Sequence, residues 1–129
     1  MVKIKIYITG KTKEVWLTRA LSEYEQRLRP HMSIEWIEQK VLEPVLPYIA
    51  LDPQGELVSS EGFANIVADR ARLTFAIGGA DGLLPHHKAD AERLVSLSPL
   101  TFTHQMSRLI LLEQLYRSIA INKGLPYHK

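Results

Sequence analysis

Between residues 4 and 28 the hydrophobic period changes from two to three and four, and that change constrains the fold more than composition does. Ile4, Ile6 and Ile8 alternate with Lys3, Lys5 and Tyr7, as in a strand with one face more buried than the other, and Gly10 ends the run. Leu17, Leu21, Tyr24 and Leu28 follow at helical spacing, with Arg19, Glu23 and Arg27 elsewhere, so an amphipathic helix is predicted that Pro30 stops. Such a helix needs a sheet to cover. Ser33 to Ile37 predicts a second strand and Tyr48 to Leu51 a short buried third, before turn chemistry at Asp52-Pro53-Gln54-Gly55. Ser60 is placed to cap a short helix using Phe63, Ile66 and Val67, and Leu73 to Ile77 is an apolar strand running into Gly78-Gly79. Pro85 suits the first turn of a helix carrying Ala89 to Leu94. A last short strand is expected around Pro99 to Phe102, and a C-terminal helix from about His104 to Lys123. Gln39 to Pro47, with two prolines close together, predicts no clear helix. The alternation implies an α/β fold: a mostly parallel sheet with helices on both faces and ligands beyond the carboxyl ends of the strands.

At 129 residues, 46% of them hydrophobic, the chain fits a single domain, 1–129, with a sizeable core. A formal charge of +2 without long Lys/Arg runs allows a nucleic-acid partner without demanding one. The absence of cysteine removes disulfides, thiolate zinc sites and a cysteine nucleophile, and fits a reducing compartment. The N-terminus alternates lysine with apolar residues, and no run approaches the roughly 18 residues of a membrane span. A soluble cytoplasmic protein is expected, with neither a membrane nor DNA as partner.

Two glycines directly after a buried strand permit a sharp turn and close approach of a ligand to the main chain. Gly78-Gly79-Ala80-Asp81-Gly82 is neither a dinucleotide fingerprint nor a P-loop, and taken alone it suits a structural turn as well as a site. Along the last helix Met106, Leu109, Ile110, Leu112, Leu115, Tyr116 and Ile119 form an apolar surface too wide for one sheet contact, which makes room for a second apolar partner. Glu113 and Arg117, spaced i, i+4, are either a solvated ion pair or the rim of an interface. Gly124 and Pro126 end the helix, so Tyr127, His128 and Lys129 leave it as a polar end or as a directed tail. A phenol, an imidazole and a cation within three residues suit an unstacked RNA base. His86-His87 invites a metal, yet helical neighbours diverge by about 100° and no third ligand has sensible spacing, so no metal site is expected. His104 and His31 read as ordinary loop or surface residues.

Three ordered segments carry a resemblance: Ile77-Gly-Gly-Ala-Asp-Gly-Leu83, Leu97-Ser-Pro-Leu-Thr-Phe-Thr-His104, and Glu113-Gln-Leu-Tyr-Arg117 continued to Pro126-Tyr-His-Lys129. In these the chain resembles the RlmH family, the smallest SPOUT-class RNA methyltransferases. The resemblance implies a homodimer whose C-terminal part is tied in a trefoil knot, one of the rare exceptions to unknotted topology. It also implies S-adenosyl-L-methionine as cofactor and methylation of N3 of a pseudouridine in 23S ribosomal RNA on the assembled 70S ribosome. Carried over by position, cofactor contacts fall to Leu51, Gly78, Gly79, Ser98, Pro99, Leu100, Thr101, Phe102 and Thr103, many of them through backbone. Catalytic work falls to Arg117, Tyr127, His128 and Glu113, with the tail of one protomer completing the site of the other. Arg117 would stabilise developing negative charge, Tyr127 and His128 would position the base or handle its proton, and Glu113 would orient Arg117.

Typical members have a longer, helix-bearing insertion where this chain keeps only Gln39 to Pro47; they commonly have Pro at Thr103 and often an Arg-containing tail at Lys129. A noncatalytic binder of the cofactor or the ribosome is the competing reading. A nucleotide-binding α/β domain, supported by the glycine loop alone, is the third.

Overall fold

The computed structural model describes residues 1–128; the reading of Lys129 as a phosphate-contacting cation lies outside them. The strands are β1 (Val2–Thr9), β2 (Met32–Gln39), β3 (Ile49–Leu57), β4 (Arg72–Ile77) and β5 (Arg93–Ser96), and the helices are α1 (Val15–Leu28), α2 (Ser60–Val67), α3 (Pro85–Asp90) and α4 (His104–Lys123). The strands form one five-stranded sheet in the order β2-β1-β4-β3-β5. Every pairing is parallel.

The period of two in β1 is realised directly. Ile4, Ile6 and Ile8 point to one face, where they pack with Leu73, Phe75 and Ile77 of β4 under Leu17, Leu21 and Leu28 of α1, Phe63 and Ile66 of α2, and Leu111, Leu112 and Leu115 of α4. Tyr7 points to the other face and joins Ala50, Ala76, Leu42, Tyr48 and Leu83 beneath α3 and the segment after β2. That cover is tied down by polar bonds. His87 Nδ1 accepts from the Leu84 N–H (3.0 Å), its Nε2 bonds the Leu42 carbonyl (2.8 Å), and the Tyr48 hydroxyl donates to the His87 carbonyl (2.6 Å).

Several boundaries differ from the sequence reading. The helix after Pro85 ends at Asp90, so Arg93 and Leu94, expected within it, open β5. The strand expected at Pro99 to Phe102 is a loop, in which the Ser96 hydroxyl donates to the Ser98 carbonyl and Ser98 Oγ accepts from the Leu100 N–H. The cap of α2 is Ser59, whose side chain accepts from the Gly62 N–H, and Ser60 is already helical.

Asp52-Pro53-Gln54-Gly55 is turn chemistry inside a strand. Leu51 and Glu56 both face Val95, so the chain bulges out of register between them and then resumes pairing. Asp52 Oδ2 accepts from the Gln54 N–H within the bulge, and a Cβ on Gly55 would lie 2.7 Å from the Leu94 carbonyl carbon.

Arg108, in the second turn of α4, is only 1% exposed. Its guanidinium donates to the carbonyls of Thr9 and Gly10 and to the Thr12 hydroxyl, which fastens the start of α4 to the end of β1. Among the described residues no carboxylate bonds it; burial lowers its pKa and Glu38 opposes that fall. Replacing it by alanine removes its bonds to the Thr9 and Gly10 carbonyls and leaves a void where the buried side chain stood. Arg108→Ala is expected to destabilise by about 2 to 4 kcal/mol in urea unfolding, and Arg108→Lys to recover only part of that loss.

Candidate active site

Beyond the carboxyl end of β4, beside the bulge of β3, lies a cavity of about 870 Å³. Its walls are the bulge of β3, the loop Gly78 to Leu83, the start of α4 and the first turn of α1. The glycine loop is a tight structure: the Gly82 N–H donates to the Gly79 carbonyl (2.9 Å) and Gly82 has φ +78°. A Cβ on Gly78 would sit 2.6 Å from the Gly82 carbonyl carbon and 2.8 Å from the Leu83 nitrogen, both main-chain atoms that cannot step aside. At Gly79 it would meet Thr9 Oγ1 at 2.5 Å. The loop is therefore both a turn and a wall of the cavity.

Of the positions carried over for cofactor contact, Leu51, Gly78, Gly79, Thr101, Phe102 and Thr103 line this cavity. Ser98 and Leu100 line a small adjoining cleft that shares Leu51 and Phe102. Pro99, exposed in the same loop, lines neither. Thr103 also caps α4 by accepting from the Met106 N–H (3.1 Å).

Sequence reasoning missed Asp52, Trp16 and Gln105 as wall residues. Gln105 accepts from the Lys13 N–H and donates to the Lys11 carbonyl, holding the loop after β1 beside the cavity. Trp16 is 56% exposed, and a large exposed indole one position before a buried leucine was the available signal. His104 lines the cavity too, with its pKa lowered by burial and then by Arg108 and Lys13.

The tail residues gather elsewhere. Gly124 takes φ +69°, Leu125 N–H returns to the Ala120 carbonyl (2.8 Å), and the chain folds back along α4. Arg117 Nη2 donates to Glu113 Oε2 (2.9 Å) and Nε to Oε1 (3.4 Å). The Tyr127 hydroxyl donates to Glu113 Oε2 (2.9 Å), and the Tyr24 hydroxyl lies 3.4 Å from it. Arg117 Nη1 lies 3.0 Å from His128 Nδ1, and His128 Nε2 lies 2.7 Å from Glu61 Oε1. Donation by Arg117 to Nδ1 leaves Nε2 to donate to Glu61. The Tyr127 ring packs against both the Arg117 guanidinium (4.9 Å) and the edge of Tyr116 (4.8 Å).

All four expected catalytic residues are thus joined in one network, and α1 and α2 add Tyr24 and Glu61, which sequence reasoning did not single out. Hydrogen bonding to Glu113 raises the Arg117 pKa, so its charge is secure. Burial, then the bonds to Tyr24 and Glu113, push the Tyr127 phenol well above its ordinary 10.0.

Ser107 is the last residue of α4 that lines the cavity; Glu113 and Arg117 lie six and ten residues further, about 9 and 15 Å along the helix, and no residue of the network lines the cavity. Among the described residues no group of His, Cys, Asp and Glu could hold a metal ion, and His87 is engaged in the bonds given above.

A parallel sheet with a glycine-walled cavity at its carboxyl edge and a strapped C-terminal tail is the setting in which known proteins can be compared. The chain belongs to the SPOUT methyltransferases: the family described as "Predicted SPOUT methyltransferase" matches residues 2–128. It is 44% identical over 141 aligned positions to the ribosomal RNA large subunit methyltransferase H of Protochlamydia amoebophila, covering 100% of both chains. To the protein of the same name from Geobacter metallireducens it is 38% identical over 152 positions, covering 98% of this chain and 99% of that one. Both alignments exceed the 129 residues here, so the relatives carry residues that this chain lacks. A solved structure described as a probable methylase family protein from Haemophilus influenzae Rd KW20 superposes with a TM-score of 0.61 at 9% identity, over 99% of this chain and 70% of that one, a likeness of fold.

The raised phenol sets a pH dependence. Below pH 10.0 Tyr127 is protonated whether folded or unfolded; above it the unfolded chain ionises first, so stability is lost as pH rises. Urea midpoints measured from pH 8 to 11 are expected to fall more steeply for the wild type than for Tyr127→Phe, which keeps the ring contacts and cannot ionise.

Proposed function

We propose that this chain, as a homodimer in the cytoplasm, uses S-adenosyl-L-methionine to methylate N3 of a pseudouridine in 23S ribosomal RNA on the assembled 70S ribosome. One observation carries the reading: the cavity and the tail network stand about 9 to 15 Å apart along one rigid helix and share no residue, in a chain related along its length to proteins named ribosomal RNA large subunit methyltransferase H. Separately, neither end completes a methyl-transfer site. Two copies, each lending its tail network to the other's cavity, complete two.

The cavity suits the cofactor. Its volume lies within the range of about 300 to 1,000 Å³ typical of small-molecule sites, Leu51, Ile77, Leu83 and Phe102 offer apolar walls for adenine, and Gly78 and Gly79 keep backbone accessible. When bound, the cofactor supplies a methyl group already attached to a good leaving group. What the protein must add is alignment of that methyl with N3 and stabilisation of the deprotonated imide.

Arg117, fixed by Glu113, presents a permanent cation for the developing negative charge. Tyr127 stays protonated with its O–H donated to Glu113, so it contributes a stacking ring; the imide proton passes to His128 Nδ1 once the Arg117 guanidinium turns from that nitrogen to the developing negative charge. The noncatalytic alternative is not favoured, since the whole charged network is present and ordered around Arg117.

The test is transfer of labelled methyl from S-adenosylmethionine to 70S ribosomes lacking the modification, with the product nucleotide mapped. Label on N3 of one pseudouridine is expected, with Arg117→Ala lowering turnover at least about 100-fold while cofactor affinity is unchanged. Gly78→Ala is expected to lose cofactor binding by calorimetry, because the added methyl forces the loop open. Wild-type turnover in Arg117→Ala contradicts the role given to the guanidinium.

A further inference from the structure

At the opposite pole from the cavity, where the strands begin and α4 ends, lies a groove of about 700 Å³. His31, Asp69, Arg70 and Lys123 line it among apolar neighbours that include Val67 and Ile119. Two basic side chains meet there without an acid between them: Lys123 Nζ lies 2.9 Å from His31 Nδ1. Burial and Lys123 hold the His31 pKa below 6.5. Among the described residues Arg70 pairs with Glu92 alone, at 3.4 Å between two partly exposed side chains, a pair of little energetic weight.

Asp69 is the one acid among the residues that line the groove, which therefore sets the cations Arg70 and Lys123 against a single carboxylate. Lys123 is six residues beyond Arg117, about 9 Å further along α4. The pole thus adjoins the tail network and not the cavity of its own protomer.

We propose that this groove is a docking surface for the RNA phosphodiester backbone: in the protomer that lends its tail, His31, Arg70 and Lys123 hold phosphates flanking the target nucleotide. The inference rests on the enzymatic reading above and deepens it. Phosphates fit the groove because they are the partner that separates two adjacent bases electrostatically; an anion between Lys123 and His31 lets both carry charge. Such contacts position the substrate without reading its sequence.

The test is binding of wild type and Arg70→Ala/Lys123→Ala to unmodified 70S ribosomes at several salt concentrations, with methyl transfer, cofactor affinity and dimer mass measured alongside. Both replaced side chains lie at the surface and outside the cavity, and neither bonds a residue of the tail network. Ribosome affinity is expected to fall about tenfold, and the slope of log affinity against log salt to shrink by about 1.4 to 1.8, the range for two lost phosphate contacts. Turnover at saturating ribosomes, cofactor affinity and dimer mass stay as in the wild type. Asp69→Asn, which keeps a residue tolerant of the φ +60° there, strengthens ribosome binding.

Unchanged affinity and salt slope in the double variant, beside an active wild type, overturn this inference alone. Loss of the dimer or of cofactor binding in that variant reassigns the groove and overturns it as well. A wild type that neither binds nor methylates ribosomes overturns the enzymatic reading and this one together.

Discussion

The length and rigidity of α4 are the constraint on which the rest of the molecule depends. Its twenty residues start against the cavity at the carboxyl edge of the sheet and end at the opposite pole. The apolar side that faces the sheet is completely buried through Leu111, Leu112 and Leu115. Buried Arg108 fixes one end by three bonds to the β1 loop, and the left-handed Gly124 fixes the other by turning the chain back. A helix held in this way cannot shorten or bend to bring the tail network onto its own cavity, so the proposed chemistry takes the network from a second copy of the chain.

The two ends divide the electrostatic work. The cavity end is largely apolar, and its cation, Arg108, is turned away and spent on backbone carbonyls. At the tail end the charges are ordered by one another: Glu113 holds Arg117 and accepts from Tyr127, while Arg117 orients His128. A carboxylate accepting from two side chains at once keeps the guanidinium charged and the phenol protonated. In the proposed reaction an RNA base would meet a guanidinium already charged and a phenol already protonated, which is how preorganised electrostatics lowers a barrier.

Much of the frame was legible in the sequence because single residues announce it. Gly10, Pro30 and Gly124 stop elements where they were expected to, and the periods of β1, α1 and α4 are clean. β5 was misplaced because four residues, Arg93 to Ser96, are too few to show a period, while Leu100-Thr101-Phe102 looks strand-like and is instead held in a loop by Ser98. Asp52 to Gly55 contains real turn chemistry, but tertiary pairing on both sides returns the chain to the sheet, and only the backbone of Leu94 beside Gly55 reveals why a glycine stands there. The tail's partners were illegible for a different reason: Tyr24 and Glu61 lie 103 and 67 positions from Tyr127 and His128, and no local pattern links them.

The central claim is that one cavity and one tail network, supplied by different copies, make each working site. It is tested most directly by mixing two inactive variants, Gly78→Ala with a ruined cavity and Arg117→Ala with a ruined network, under conditions that exchange subunits. Half of a random mixture is heterodimer, and each heterodimer pairs the intact cavity of one chain with the intact tail of the other, so methyl transfer to ribosomes should return to about a quarter of the wild-type rate. No recovery, in a mixture shown by mass to contain heterodimers, would mean that each chain works with its own tail and that the two ends do not meet across a dimer.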